Sequence, residues 1–372
     1  MTRGSSARRL CAIIGSLLSA VACARSAVVQ PAAEGVGMVT RFLVDTSRAA
    51  WDGSGPRPLR TSIWYPAAPG SSQRSILESS APFRVGPVAE GAPLSPAVSR
   101  FPLILLSHGT GGSALQMMWL GRYLAAHGFV VAALNHHGNT GAEPRPDARG
   151  FLLYWERARD LRVALDRLLA DSVFGPRIDS ARVGAAGFSL GGYTVIAVAG
   201  GRFNPREFAA FCASPQRDFT CGPQPEFPRA PELFAALQRT DSLTRRSLAH
   251  ASDSYRDARV RAVFAIAPAL GGGFTAPDLR DVRVPVSIIV GQGDTVTPPA
   301  TNARRYASLI RGAAVAVLPG SVGHYTFLAE CTERGRAVVP ICRDGPGVDR
   351  GAVHTQVSQM ALRFFRSTLA PR

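Results

Sequence analysis

Residues 183–200 read VGAAGFSLGGYTVIAVAG, and at their centre stands Gly187-Phe188-Ser189-Leu190-Gly191. Val183 to Phe188 is a short apolar run suited to a buried parallel strand, and the small apolar residues after Ser189 suit a helix packed closely on a sheet. A serine at the turn between them must take a strained backbone conformation. Gly187 and Gly191 leave the room that such a turn needs, because a side chain at either place would collide with the neighbouring strand and helix. The stretch therefore predicts a nucleophile elbow, with the Ser189 hydroxyl held at a helix N-terminus whose unpaired N–H groups favour negative charge. Three fixed positions in five are a weak signal in a chain with 37 glycines. The flanking strand and helix patterns are the context that gives the motif its meaning.

At 372 residues with 18% charged residues, the chain is long enough for one large globular domain or two ordinary ones. Arg3, Arg8 and Arg9 precede an apolar stretch, Leu10 to Ala22, of signal-peptide length and too short to span a bilayer. We read residues 1–22 as a signal peptide and the protein as exported, periplasmic or secreted. Ala20-Val21-Ala22 fits a cleavage site, while Ala22-Cys23 also fits a lipoprotein junction at which an acylated Cys23 would tether the protein to a membrane. Residues 23–37 form a flexible lead-in. Once Cys11 and Cys23 are set aside, Cys212, Cys221, Cys331 and Cys342 remain. In an oxidising compartment they predict two disulfides, most simply 212–221 and 331–342, although four cysteines allow three connectivities. Zinc-type C-x-x-C spacing is absent. The formal charge of +16 comes from scattered arginines without a basic run, so it points to composition bias and to no nucleic-acid partner.

From residue 38 the chain reads as one domain. Met38 to Val44 and Leu59 to Tyr65 are β-rich and flank a turn cluster, Asp52 to Pro56, which predicts an antiparallel pair. Residues 66–100, rich in Pro, Gly and Ser, read as a surface loop. Apolar runs at Phe101 to Leu106, Phe129 to Leu134, Val183 to Phe188, Val260 to Ala267, Val284 to Gly291 and Ala313 to Leu318 alternate with helical patterns. That alternation predicts a mostly parallel sheet with helices on both faces. Residues 202–258 interrupt it with six prolines and a polar helical stretch from Pro231 to about Ala249, and read as a cap inserted over the sheet.

A serine hydroxyl needs a base to take its proton and a carboxylate to orient that base. Asp294, in Gly291-Gln292-Gly293-Asp294, and His324, in Gly323-His324-Tyr325, each follow a strand, at the same sheet edge as Ser189. The order Ser, Asp, His along the chain is that of the α/β-hydrolase fold. Asp278 and Asp281 precede their strand and fall at the wrong edge. His108, His136 and His137 lie at the correct edge but before Ser189, where they would line the pocket. One oxyanion donor should be the N–H of Leu190. The other should come from His108-Gly109-Thr110-Gly111-Gly112, with Thr110 the favoured residue.

With these residues the chain resembles bacterial α/β-hydrolases of the dienelactone-hydrolase-like group, related to platelet-activating-factor acetylhydrolases and more distantly to cutinase-like polyesterases. The resemblance rests on Ile63-Trp64-Tyr65-Pro66, Ser107 to Gly112, Gly187 to Thr194, Gly291 to Asp294 and Gly323 to Phe327. It implies cofactor-free hydrolysis of short-acyl carboxylic esters of small molecules or lipids through an acyl-enzyme. Ser189 would be nucleophile, His324 base, Asp294 its acid, and Thr110 and Leu190 oxyanion donors. The acetylhydrolases take their acid from an earlier strand end, which here reads Ala265-Ile266-Ala267-Pro268, so Asp294 follows the commoner hydrolase position. Two other readings remain: a serine peptidase or amidase on the same fold, and a catalytically silent envelope binding protein.

Overall fold

Short runs that are apolar at every position suit strands covered on both faces. The computed structural model describes residues 35–77 and 81–371 and builds these runs into a ten-stranded sheet. The signal peptide and Cys23 lie outside the described residues. β1 (Val36–Ala49) and β2 (Pro56–Pro66) pair antiparallel, with Met38 opposite Trp64. Val36 is buried, so β1 begins inside the stretch read as lead-in.

Residues 66–100 hold more structure than a surface loop. β3 (Arg74–Ser75) and β5 (Pro87–Glu90) extend the sheet beyond β1, and β4 (Phe83–Arg84) pairs elsewhere, with β12 (Glu330–Cys331). These strands are two to four residues long, too short to carry a period.

The parallel part comprises β6 (Phe101–Ser107), β7 (Val130–Leu134), β8 (Ile178–Phe188), β9 (Val260–Ile266), β10 (Val286–Gly291) and β11 (Ala314–Leu318). The full order is β11-β10-β9-β8-β6-β7-β2-β1-β5-β3. Register brings Ser107 opposite Leu134 and Gly187, Phe188 opposite Ile266, and Gly291 opposite Leu318. The loops that follow these strands therefore open along one edge, where sites on such sheets lie.

Helices α1 (Met118–Ala126), α2 (Ala148–Leu152), α3 (Glu156–Leu169), α4 (Leu190–Val198), α5 (Pro205–Ala213), α6 (Ala230–Thr240), α7 (Ser242–Leu248), α8 (Ala276–Leu279), α9 (Ala303–Leu309), α10 (Glu333–Val338) and α11 (Arg350–Thr368) surround the sheet. α1 packs with α11 and α3 with α4, on opposite faces. β8 shows why. A Cβ at Gly184 would strike Phe365 of α11, whereas one at Gly187, three residues on and pointing the other way, would strike the Gly191 carbonyl of α4.

Within 202–258, Asn204 caps α5, accepting from the Glu207 N–H at 3.1 Å with Pro205 at the first turn. The single polar helix expected over Pro231 to Ala249 is two helices. Asp241 ends α6 in an extended conformation and caps α7 through the Thr244 N–H at 2.7 Å. Trp155 Nε1 of the α3 entry donates to Ser247 Oγ at 2.9 Å, and Thr301 Oγ1 donates to Asp218 at 2.7 Å, tying the segment to the body. Disulfides join Cys212 to Cys221 and Cys331 to Cys342, with Cα atoms 5.4 and 5.8 Å apart. No described helix is long and apolar enough to cross a membrane.

Candidate active site

Ser189 stands between β8 and α4 with φ +56° and ψ −120°, one of three non-glycine residues of positive φ among those described. Such a conformation costs about 1–3 kcal/mol and survives only where the surroundings enforce it. Here the backbone is held on both sides. Ser189 N–H donates to the Ile266 carbonyl at 2.9 Å, and the Ser189 carbonyl accepts from Ala269 N–H at 3.0 Å. A Cβ at Gly191 would run into the Ser107 carbonyl, and one at Gly187 into that of Gly191.

The three loops bring Ser189, His324 and Asp294 into one hydrogen-bonded chain. Ser189 Oγ lies 2.9 Å from His324 Nε2, and His324 Nδ1 lies 2.8 Å from Asp294 Oδ2. All three are buried. An ionised carboxylate only accepts, so Nδ1 carries the proton and Nε2 is left to accept from the serine hydroxyl. The other carboxylate oxygen, Asp294 Oδ1, accepts from the N–H groups of Val296 (2.9 Å) and Thr297 (2.7 Å).

Sequence reasoning does not single out Thr297, yet it belongs to the site. Its hydroxyl lies 3.0 Å from Asp294 Oδ2, 3.2 Å from His324 Nδ1 and 3.2 Å from the Ala267 carbonyl, bridging Asp294 and His324. The available signal is a hydroxyl residue three places after an aspartate at a strand end, the spacing of an Asx-type turn.

The loop after β6 is fixed from beneath. Gly111 N–H donates to Asn139 Oδ1 at 2.5 Å, and Gly112 N–H to the Gly109 carbonyl at 3.2 Å. The Gly112 carbonyl accepts from Thr140 Oγ1 and from Gly141 N–H, both at 2.9 Å. His108 Nδ1–H donates to the Gly109 carbonyl at 2.7 Å. In a trans peptide the C=O and N–H point in opposite directions. Drawing the Gly109 carbonyl inward thus turns the Thr110 N–H outward, on a residue that lines the pocket with Ser189. Neither Thr110 N–H nor Leu190 N–H meets an acceptor among the described residues.

His108 and His136 do not line the pocket, as their position along the chain implied, but lie wholly buried below it. His136 accepts from the Ser107 hydroxyl at 2.9 Å through Nε2, donates to Asp160 at 3.0 Å through Nδ1, and gives its backbone N–H to His108 Nε2 at 3.1 Å. Burial, reinforced by Arg157, pushes His136 down to about 3, and burial likewise holds His108 well below the usual histidine range. Both rings are therefore neutral. Burial alone would raise the Asp160 carboxyl, but Arg57 and Arg48 more than offset it and hold it well below the usual range. Arg157, buried under the elbow and bound to the His108 carbonyl, is lowered by burial to about 9. His137 faces away, accepting from Trp51 N–H at 3.0 Å.

The pocket in front of Ser189 measures about 80 Å³. Its walls come from five places: the β6 loop (Thr110, Gly111), the elbow (Phe188), segment 202–258 (Gln224, Glu226), the loop after β10 (Val296) and the segment after His324 (Tyr325, Leu328, Ile341). Glu226 is exposed at the pocket rim, where partial desolvation pushes its carboxyl above the ordinary glutamate range, with His324 acting against it. Among the described residues no three of His, Cys, Asp and Glu converge as a metal-binding group.

Comparison with known proteins gives a consistent picture. The chain is 40% identical over 91 residues to cutinase est2 of Thermobifida alba, covering 24% of this chain and 27% of that protein. It is 33% identical over 138 residues to a bis(hydroxyethyl) terephthalate hydrolase of Streptomyces coelicolor, covering 37% of this chain and 41% of that one. The chain thus spans well under half the length of these curated relatives. A ferulic acid esterase from Streptomyces cinnamoneus superposes over 91% of both chains with a TM-score of 0.57 at 22% identity, a likeness of fold. The model of the alpha/beta hydrolase family matches residues 103–340, nearly all of the parallel sheet and every loop at its working edge, and the chain belongs to that family.

Proposed function

We propose that the protein is an exported serine hydrolase of short-acyl carboxylic esters. The carrying observation is the 2.9 Å contact of Ser189 Oγ with His324 Nε2, continued at 2.8 Å to Asp294, beside two unengaged N–H groups. Ser189 attacks the acyl carbon as His324 takes its proton. The tetrahedral oxyanion is held by the Thr110 and Leu190 N–H groups, and preorganised donors of this kind are worth about 3–4 kcal/mol each. His324 then protonates the leaving alcohol, and water activated by the same imidazole releases the acid. No step calls for a cofactor.

Pocket size supports a short acyl group, since the recess in front of Ser189 holds about 80 Å³. The names of the cutinase and terephthalate-ester hydrolase relatives support an ester rather than an amide as the bond cleaved. Two disulfides and the basic, apolar N-terminus support export. Residues 202–258 act as a cap that supplies one wall of the pocket. The test is hydrolysis of para-nitrophenyl esters from acetate to dodecanoate, with Ser189→Ala alongside. Activity should fall with chain length and vanish in the variant. Equal rates in the variant and wild type would overturn the reading, and cleavage of amides alone would transfer it to a peptidase.

A further inference from the structure

We propose that Glu226 sets the charge preference of the pocket, favouring esters that carry a cationic or hydrogen-donating group near the scissile bond and disfavouring anionic ones. The inference rests on Ser189 being the nucleophile. Glu226 belongs to the insertion, in the stretch between Cys221 and α6, yet it lines the same pocket as Ser189, Thr110 and His324. Its stem lies against the oxyanion loop. A Cβ at Gly111 would come within 2.7 Å of both Cβ and Cγ of Glu226, and Gly111 has φ +62°, so glycine is needed there on two counts.

The backbone around Glu226 is anchored on both sides along the chain. Before it, Cys221 is bonded to Cys212, and after it the Phe227 ring packs edge-on against Phe151 with centroids 5.4 Å apart. Deeper in the fold, Asp45, Glu156 and Asp160 are each bound by arginine. Among the described residues no guanidinium acts on Glu226, and the one titratable side chain that does is His324.

An unpaired carboxylate beside an oxyanion hole opposes the negative charge that develops there. It is tolerable only where the substrate offsets it. A cationic or donor group on the ester, poised over Gly111, would pair with Glu226 and strengthen in the transition state as that opposition is relieved. A carboxylate on the substrate would meet like charge instead.

The test uses two neutral-and-charged pairs of acetate esters, acetylcholine against its carbon isostere dimethylbutyl acetate, and para-acetoxybenzoate against its methyl ester. Each is measured on wild type, Glu226→Gln, Glu226→Ala and Ser189→Ala. The readout is the ratio of kcat/KM within a pair, which cancels changes common to both members. Removing the charge should lower the acetylcholine ratio and raise the acetoxybenzoate ratio by about three- to tenfold each, the effect of one partly solvated charge at close range. Ratios unchanged in both Glu226 variants, with Ser189→Ala inactive, would overturn the role of Glu226 and leave the esterase reading intact. Activity retained in Ser189→Ala would overturn both.

Discussion

Replacing Asp294 by asparagine should inactivate the enzyme without disturbing its fold, and the hydrogen bonds say why. Oδ1 of Asp294 accepts from two backbone N–H groups, Val296 at 2.9 Å and Thr297 at 2.7 Å. In the Asp294→Asn variant only the amide carbonyl oxygen can stay there. The NH2 group is thereby forced into the Oδ2 position, 2.8 Å from His324 Nδ1, and an NH2 can only donate. The imidazole must give up its Nδ1 proton and carry it on Nε2, where it faces the Ser189 hydroxyl and cannot accept from it. A base locked in the wrong tautomer costs about 10³–10⁴-fold in kcat, or about 4–5.5 kcal/mol of barrier. KM should move little, because Asp294 does not line the pocket. Steady-state kinetics on para-nitrophenyl acetate, with Tm followed by circular dichroism, would measure both. A variant that melts like wild type yet keeps more than about a tenth of its kcat would refute the assignment of Asp294.

Three further outcomes follow from the same geometry. Thr297→Val removes the hydroxyl shared by Asp294 and His324 while keeping the backbone N–H, and should lower kcat about tenfold with KM unchanged, from the loss of one hydrogen bond to a charged group. Thr297→Ser should restore most of it, and equal rates in both variants would remove Thr297 from the site. Stability should fall as pH drops from about 7 toward 4. Burial depresses His136 to about 3 and His354 to about 4, so the unfolded chain takes up protons that the folded one refuses, and stability present above the unfolded histidine pKa is lost on acidification. A Tm independent of pH across that range would contradict the buried neutral histidines. Replacing Cys331 and Cys342 by alanine should cost about 3 kcal/mol by loop entropy and raise KM, because Leu328 and Ile341 of the pocket wall flank the two cysteines. Unchanged kinetics would show that the wall holds without the bridge.

The elbow was legible because its requirements are local. Gly187 and Gly191 are needed by atoms only a few residues away or on the next strand, and a strand-turn-helix pattern announces them. Ser, Asp and His are legible as residues that follow a strand, which the apolar runs mark. Thr297 carries no such signal, because a threonine after a turn is ordinary until a histidine 27 residues later meets it. For His108 and His136, position along the chain gives the right edge but the wrong depth. Sequence position says where along a strand a side chain lies, while Asp160, Arg57 and Arg48, drawn from three distant elements, decide that these rings are buried.

By itself, the sequence determined the parallel sheet, the strained serine and the chain order of its partners, since period, turn chemistry and spacing act over a few residues. Tertiary structure alone decided which distant side chains close the pocket. Glu226 from the insertion and Ile341 from the segment after His324 meet beside Ser189 only because two disulfide-braced loops fold back over one sheet edge, and the packing of such loops depends on long-range contacts that leave no period in the chain.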